Sequence, residues 1–341
     1  MKRVLVTGGT TTVGRALVKR LLADDATERV LVVGREPQRS SLQLDARLSH
    51  LHFDLARERS VRSLVFGPVR DEGITAIIHM ATHRGLVKGE RAHALNVEGT
   101  RRILHFAERV PSVTRFVYRS YGSVYARDAR LPARIDEDHP LRIGARTPQS
   151  ILDRVEADLA VCARMGMSRI AIAVLRCAEC LAPGAGSQLW DYLQSRVCFR
   201  PLGFDPMINV ISPEDLGHAL ALAAESDAEG IFTIPGLDTL PLSRIIARFG
   251  RTEVPMPGPA LRPLYRLRGM VTDADFHPDV SRGRLHFGGV LDGERAAKVL
   301  GYEPAQPVHW PLQMSEVSRR TQLRNPSTLR GRVERWLDRQ D

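Results

Sequence analysis

The sequence predicts an α/β chain: a doubly wound parallel sheet followed by a smaller C-terminal α+β lobe. Three observations carry this expectation. Short apolar runs alternate with amphipathic stretches through the first half of the 341 residues, the pattern of parallel strands joined by crossover helices. A glycine-rich turn separates the first strand-like run from the first helical one, where doubly wound folds place it. Beyond about residue 180 the rhythm breaks: proline and glycine become frequent in LAPGAG, FRPLGFDP and VPMPGPALRP, and the elements shorten.

Taken in order, RVLV (3–6) is the first strand and VGRALVKRLL (13–22) the first helix, with Val13, Leu17, Leu21 and Leu22 on one face. RVLVV (29–33), LHF (51–53) and AIIH (76–79) are the next three strands. RAHALNVEGTRRILHFAERV (91–110) is helical and stops before Pro111, and RFVYRS (115–120) follows as a strand. The next helix takes Thr147 as N-cap, Pro148 as its first helical residue and Gly166 as its stop. IAIAVL (170–175) closes the regular half. Residues 1–180 are expected to form the doubly wound domain and 181–341 the smaller lobe, some of whose segments return to the sheet. From about residue 327, Leu329, Val333, Trp336 and Leu337 form the stripe of a terminal helix that docks on the rest of the chain.

The net charge is +10, from 49 basic and 39 acidic side chains. Four of the 49 are lysine, which leaves 49 − 4 = 45 arginines. They are scattered along the chain and aromatics make up 6%, poor material for stacking bases. Nucleic acid is therefore not an expected partner, whereas solvated surface and phosphate-bearing ligands are. No run of about 18 apolar residues occurs, so no membrane span is expected. MKRVLVTGG lacks the apolar core of a signal peptide, and the expected location is cytoplasmic. Cys162, Cys177, Cys180 and Cys198 are too few for a disulfide framework. Cys177 and Cys180 form a CxxC without a second ligand pair, so no metal is expected and the thiols read as buried and inert.

In VLVTGGTTTVGRAL a glycine recurs every third position except the middle one: Gly8, Thr11, Gly14. Such a turn aims backbone N–H groups and a helix N-terminus at a phosphate. Thr11 brings a Cβ that would crowd a pyrophosphate, and a hydroxyl that could donate to one of its oxygens.

The chain resembles the extended short-chain dehydrogenase/reductase family, also called the NAD-dependent epimerase/dehydratase family, and most closely its UDP-glucose 4-epimerase-like subgroup. The resemblance rests on TGGTTTVG (7–14), FDL (53–55), HMAT (79–82), ALNVEGTRRIL (94–104), RFVYRSYGSVYA (115–126), VLRCAECLAPG (174–184), NVISPEDLGHAL (209–220), GIFTIPG (230–236) and LDGERAAKVLGYEP (291–304), which occur in the family's order. It implies a Rossmann-type domain that binds NAD(P), a lobe that holds a nucleotide-sugar-like substrate, and a homodimer through the helices at 92–110 and 148–165. It also implies that Gly8, Thr11, Thr12, Val13 and Gly14 line the pyrophosphate and that Asp54 and Leu55 sit by the adenine. Met80, Ala81 and Thr82 would lie beside the ribose and nicotinamide, and Asn96 would order a proton relay. At the end of the second strand, where an acid selects NAD, the chain has Gly34, then Arg35, Glu36 and Arg39; an arginine accepts a 2′-phosphate, and the expectation leans to NADP.

The family's redox members use a tyrosine with a lysine four residues later. None of the four lysines follows a tyrosine at that spacing; Pro148 and Leu152 stand at the two positions, with Glu156 at the family's acidic one. Tyr121 occupies the family's Ser/Thr position, flanked by Ser120 and Ser123, and these three are the candidate catalytic hydroxyls. Without an adjacent cation a phenol titrates near ~10, unsuited to proton transfer at pH 7, and a buried structural tyrosine is the expectation. His79 and His83 are the alternative acids, His79 being expected to pack against the sheet. Tyr192, with Arg196 four residues on, is expected to belong to the small lobe. The chain is thus either an epimerase/dehydratase-type enzyme with a divergent relay, or a non-catalytic NAD(P)-binding redox sensor or scaffold.

Overall fold

A computed structural model describes residues 2–34, 45–82, 90–271 and 276–310. The first half contains β1 (Lys2–Thr7), α1 (Thr12–Leu22), β2 (Thr27–Val33), β3 (Leu48–Leu51), α2 (Glu58–Leu64), β4 (Ala76–His79), α3 (Glu90–His93), α4 (Thr100–Ala107) and β5 (Arg115–Tyr121). There follow β6 (Arg134–Ile135), α5 (Gln149–Cys162), β7 (Ala171–Cys177), β8 (Glu179–Cys180), α6 (Gln188–Tyr192), β9 (Val197–Pro201), β10 (Met207–Ile211), α7 (Pro213–Glu225) and β11 (Gly230–Ile234). The last elements are β12 (Asp238–Pro241), α8 (Leu242–Arg248), β13 (Thr252–Met256), α9 (Gly258–Val271), α10 (Pro278–Phe287), β14 (Val290–Leu291) and α11 (Glu294–Leu300).

Seven parallel strands form the central sheet in the order β11–β7–β5–β4–β1–β2–β3. The expected doubly wound architecture is present, and the strand order reverses between β1 and β4, where such folds open a ligand crevice beyond the carboxyl ends of the strands. Both faces of the sheet are covered. Val4, Val6, Val30, Val32 and Ile78 pack with α1 and α7 on one side, whereas Leu5, Leu31, Ile77, Phe116 and Ile172 pack with α2, α4 and α5 on the other. Every residue of β5 is buried, as expected of a parallel strand covered on both faces.

Several boundaries differ from the sequence expectation, for identifiable reasons. The third strand lies at 48–51 rather than 51–53 because β2 sets its register, with Val30 beside Leu48 and Val33 beside Leu51. The chain then turns, and Asp54 gives its N–H to Ser60 Oγ at 2.9 Å. The helix expected over 91–110 is α3 and α4 joined by a wider-wound stretch, Ala94–Gly99, which contains Asn96. Pro148, not Thr147, is the N-cap of α5; its ψ of 144° is extended, so the helix starts at Gln149.

In the second half, β11 joins the central sheet beside β7. α7 is started by Ser212, whose Oγ accepts the Asp215 N–H at 3.1 Å, with Pro213 in the first turn. The shorter strands make three small sheets, β12–β10–β8, β13–β9 and β14–β6. A separate apolar core gathers Leu189, Trp190, Tyr192, Ile208, Leu242, Ile245, Tyr265 and Trp310. Tyr192 sits in that core and donates to the Phe199 carbonyl at 3.1 Å, in line with the sequence reading. The expected terminal helix from 327 lies outside the described residues.

Candidate active site

β1 ends at Thr7, and Gly8 turns the chain with φ +74°. A Cβ on Gly8 would fall 3.1 Å from the Ala81 backbone, so this turn and the end of β4 lie against each other. A Cβ on Gly14 would collide with the Gly9 backbone, so glycine lets α1 start directly over the turn. Thr11 is the N-cap of α1: its Oγ1 accepts the Gly14 N–H at 2.9 Å. The first-turn N–H groups of Thr12 and Val13 have no acceptor within the helix and form an anion-facing helix start. Thr12 donates its hydroxyl to the Pro183 carbonyl at 3.1 Å, which ties the turn to the loop after β8. The sequence motif did not signal that tie.

The Asp54 Oδ1 accepts the Ala56 N–H at 3.1 Å, and Leu55 is buried behind it. Asn96 lends its carbonyl to the Thr100 hydroxyl at 2.7 Å. Arg35, Glu36, Arg39 and His83 lie outside the described residues.

His79 is fully buried in a chain of hydrogen bonds. Thr100 gives its proton to the Asn96 carbonyl, so its oxygen accepts from His79 Nε2–H at 3.0 Å. Nδ1 is then the acceptor, taking the Thr7 proton at 2.7 Å, while Thr7 Oγ1 accepts the Met80 N–H at 3.1 Å. The ring stacks on Tyr118 with centroids 5.9 Å apart. Burial pushes the imidazole down to about 4. His79 is a neutral bolt holding β4 to β1 and α4, as the sequence suggested.

Tyr121 departs from expectation. It is buried, but it does not lack a cation. Arg119 Nη1 donates to its hydroxyl oxygen at 2.9 Å, and the Arg119 guanidinium carbon lies 4.2 Å from the ring centroid. Arg154, from α5, places its own guanidinium carbon 4.0 Å from the same ring. The two hydroxyls of Tyr121 and Thr82 are 2.7 Å apart. Arg154 also donates to Ser123 Oγ and to the Gly186 carbonyl, both at 2.9 Å. Arg119 reaches the Ala185 carbonyl at 2.8 Å. Tyr121, Thr82 and Ser123 therefore belong to one cluster at the carboxyl ends of β4 and β5. Arg119 was legible as a neighbour of Tyr121, since residues i and i+2 of a strand share a face. Arg154 was not, because its approach depends on how α5 packs.

Ser120 is not part of this cluster. Its hydroxyl donates to Asp158 Oδ2 at 2.5 Å, and Asp158 is held by Arg176 Nη2 at 2.7 Å; acid and base are both buried. Pro148 and Leu152 lie at the start of α5 and offer no proton. Cys177 and Cys180 are buried, and burial pushes both thiols up to about 12, so they are protonated. Among the described residues, no three His, Cys, Asp or Glu side chains are grouped to hold a metal, and no helix is long and apolar enough to cross a membrane.

The model of the NAD dependent epimerase/dehydratase family matches residues 4–195, more than half of the chain. Proteins of Mycobacterium tuberculosis and Mycobacterium bovis, each described as uncharacterized, are 28% identical over 312 residues, covering 89% of this chain and 80% of theirs. Among solved structures, MoeE5 in complex with UDP-glucuronic acid and NAD superposes with a TM-score of 0.68 at 18% identity, covering 94% of this chain and 99% of that one. The dTDP-glucose 4,6-dehydratase of Bacillus anthracis, in complex with NAD, gives 0.68 at 14% identity over 94% and 97%. The UDP-glucose 4-epimerase of Thermotoga maritima, with UDP-glucose, gives 0.66 at 15% identity over 94% and 99%. At such identities these structures speak for the shared Rossmann-type architecture alone, whereas the family model covers the turn, the β4 end and the Tyr121 cluster together. The chain is a member of the NAD-dependent epimerase/dehydratase family.

Proposed function

We propose that this protein is an NAD(P)-dependent oxidoreductase or epimerase acting on a hydroxylated, nucleotide-sugar-like substrate, with Tyr121 as its proton-transfer group. The observation that carries this reading is the Tyr121 hydroxyl, bonded to Arg119 Nη1 at 2.9 Å and 2.7 Å from Thr82 Oγ1. The positive-φ turn at Gly8, the close approach of Gly14 to Gly9 and the free first-turn N–H groups fit a dinucleotide, with Thr11 and Thr12 at its phosphates and Met80, Ala81 and Thr82 toward its nicotinamide end. Bound there, the nicotinamide supplies the hydride acceptor or donor. Tyr121 holds or takes the proton at its phenol oxygen as the substrate hydroxyl is oxidised or re-formed. The Arg119 N–H donates to that oxygen and holds the phenol in place toward Thr82. Thr82 passes the proton onward, and Ser123, held by Arg154, orients the substrate oxygen.

The absence of a side-chain acid at Gly34 and the presence of Arg35 favour NADP over NAD within this reading. A homodimer through the α4–α5 face belongs to the same reading. Pro148 and Leu152 favour the alternative, a redox sensor or scaffold that binds NAD(P) without turnover. Nicotinamide fluorescence titration with NADPH and NADH tests the cofactor, with Gly8→Asp as the control that fills the turn. Micromolar binding lost in Gly8→Asp is expected. UDP-sugar turnover then separates the two roles: Tyr121→Phe should lower kcat by about 10²–10⁴ while NADPH binding stays within twofold. Cofactor binding without turnover on any UDP-sugar would leave the sensor reading.

A further inference from the structure

Close to Tyr121 lies a second cluster, which shares only Arg154 with the relay. Glu179, in β8, is its one carboxylate. Oε1 is paired with Arg284 Nη2 at 2.5 Å, and Oε2 accepts the Ser187 hydroxyl at 2.6 Å. Arg127 and Arg154 both act on that carboxylate electrostatically. Three guanidiniums around one carboxylate leave 3 − 1 = 2 positive charges without a counter-charge in the cluster.

These cations are also short of acceptors. Arg284 is 4% exposed, and its Nε and Nη1 have no hydrogen-bond partner. Arg127 gives Nη2 to the Gly122 carbonyl at 3.1 Å, but its Nε is buried and unpartnered. Buried polar groups are normally satisfied, and buried charges are normally paired. The strain shows electrostatically: burial and the charge of Arg284 push Arg127 down to about 9, and burial also lowers Arg284. The backbone at Gly289 runs close against this donor. Gly289 has φ +133°, and a Cβ there would fall 2.9 Å from Arg127 Nε. Arg127 and Arg154 remain partly exposed, so the cluster opens to solvent on their side.

We propose that the substrate carries an oxyanion, a carboxylate or a phosphate, on the unit that meets Tyr121, and that Arg127, Arg284 and Arg154 receive it. The inference rests on the oxidoreductase reading for the identity of the ligand as substrate. Its position follows from Arg154, which bonds Ser123 and lies against the Tyr121 ring, so the anion sits on the reacting unit. Glu179 then serves to hold Arg284 in place, while the remaining N–H groups form charge-assisted bonds to the ligand.

Titration calorimetry on the full chain with two matched pairs tests this: UDP-glucuronate against UDP-glucose, and glucose 6-phosphate against glucose. A preference of at least tenfold for the acidic member of one pair is expected, the first pair marking a carboxylate and the second a phosphate. That preference should vanish in Arg127→Gln, which leaves the Glu179–Arg284 pair intact. Should that variant not fold, the double variant Glu179→Gln, Arg284→Gln removes both charges of the pair together. Equal affinity within both pairs, or a preference that the variants keep, overturns the proposal. NADPH titration of the same samples separates the two readings: acid preference without cofactor binding keeps the anion site and removes the oxidoreductase.

Discussion

The Thr7–His79–Thr100 chain shows how much a single buried side chain can decide. Sequence reasoning offered His79 as an acid or as a packing residue, and the hydrogen-bond directions settle on packing: both ring nitrogens are used, and the ring is neutral. Neutrality makes it pH-sensitive in a definite direction. Unfolded, an imidazole titrates near ~6.5; folded, this one is held down to about 4. The unfolded chain therefore binds the extra proton between those values. The stabilisation is fully present above pH 6.5 and is lost as pH falls through about 4, in total about 3 kcal/mol at ~1.4 kcal/mol per unit. Urea unfolding at pH 7.5 and pH 5 should show a falling midpoint for the native protein, with the acid-dependent part reduced in His79→Asn. Equal acid sensitivity in both would assign that loss to other groups.

At the scale of elements, the Asp158–Arg176–Ser120 group joins α5, β7 and β5 in a buried layer. Asp158 is fully buried, and both its oxygens are bonded to Arg176, at 2.7 and 3.1 Å. Removing one partner of a buried pair leaves a charge with no solvent, which costs about 3–5 kcal/mol. Asp158→Ala should therefore lower stability by that amount in denaturant melts, whereas Asp158→Asn, which keeps a hydrogen-bonding oxygen, should cost less. Equal losses in the two would mean that packing, not charge, matters there. A smaller effect belongs to the start of α1: Thr11→Ala removes the cap on the Gly14 N–H and should cost about 1 kcal/mol. If Thr11 touches a phosphate as well, the same variant weakens NADPH binding in the fluorescence titration.

Across the whole molecule, the central strands were legible because they are buried on both faces and so read as apolar runs, β5 most clearly, whereas the half-buried edge strand β3 was misplaced. The Gly8–Gly14 turn was legible because only glycine allows its backbone approaches. The Arg127–Glu179–Arg284 cluster was not, since its members are 52 and 105 residues apart (179 − 127 and 284 − 179) and nothing local marks them. The outer face of α4 and α5 has the same character, visible only once the helices are packed. A groove of about 550 Å³ there is lined by Arg101, His105, Phe106, Glu108 and Arg164, among others. Ion pairs cross it, Arg101 to Glu156 at 2.9 Å and Arg164 to Glu108 at 2.8 Å. Leu159, one turn beyond Glu156, is 45% exposed. If two copies meet on this face, a two-fold axis brings each Leu159 toward its symmetry mate's groove. Leu159→Glu should then shift the sedimentation coefficient from dimer to monomer while leaving NADPH affinity unchanged. High salt, which screens the flanking ion pairs, should weaken the native dimer less than the Leu159 substitution does. An unchanged sedimentation coefficient in Leu159→Glu would place any self-association on another face.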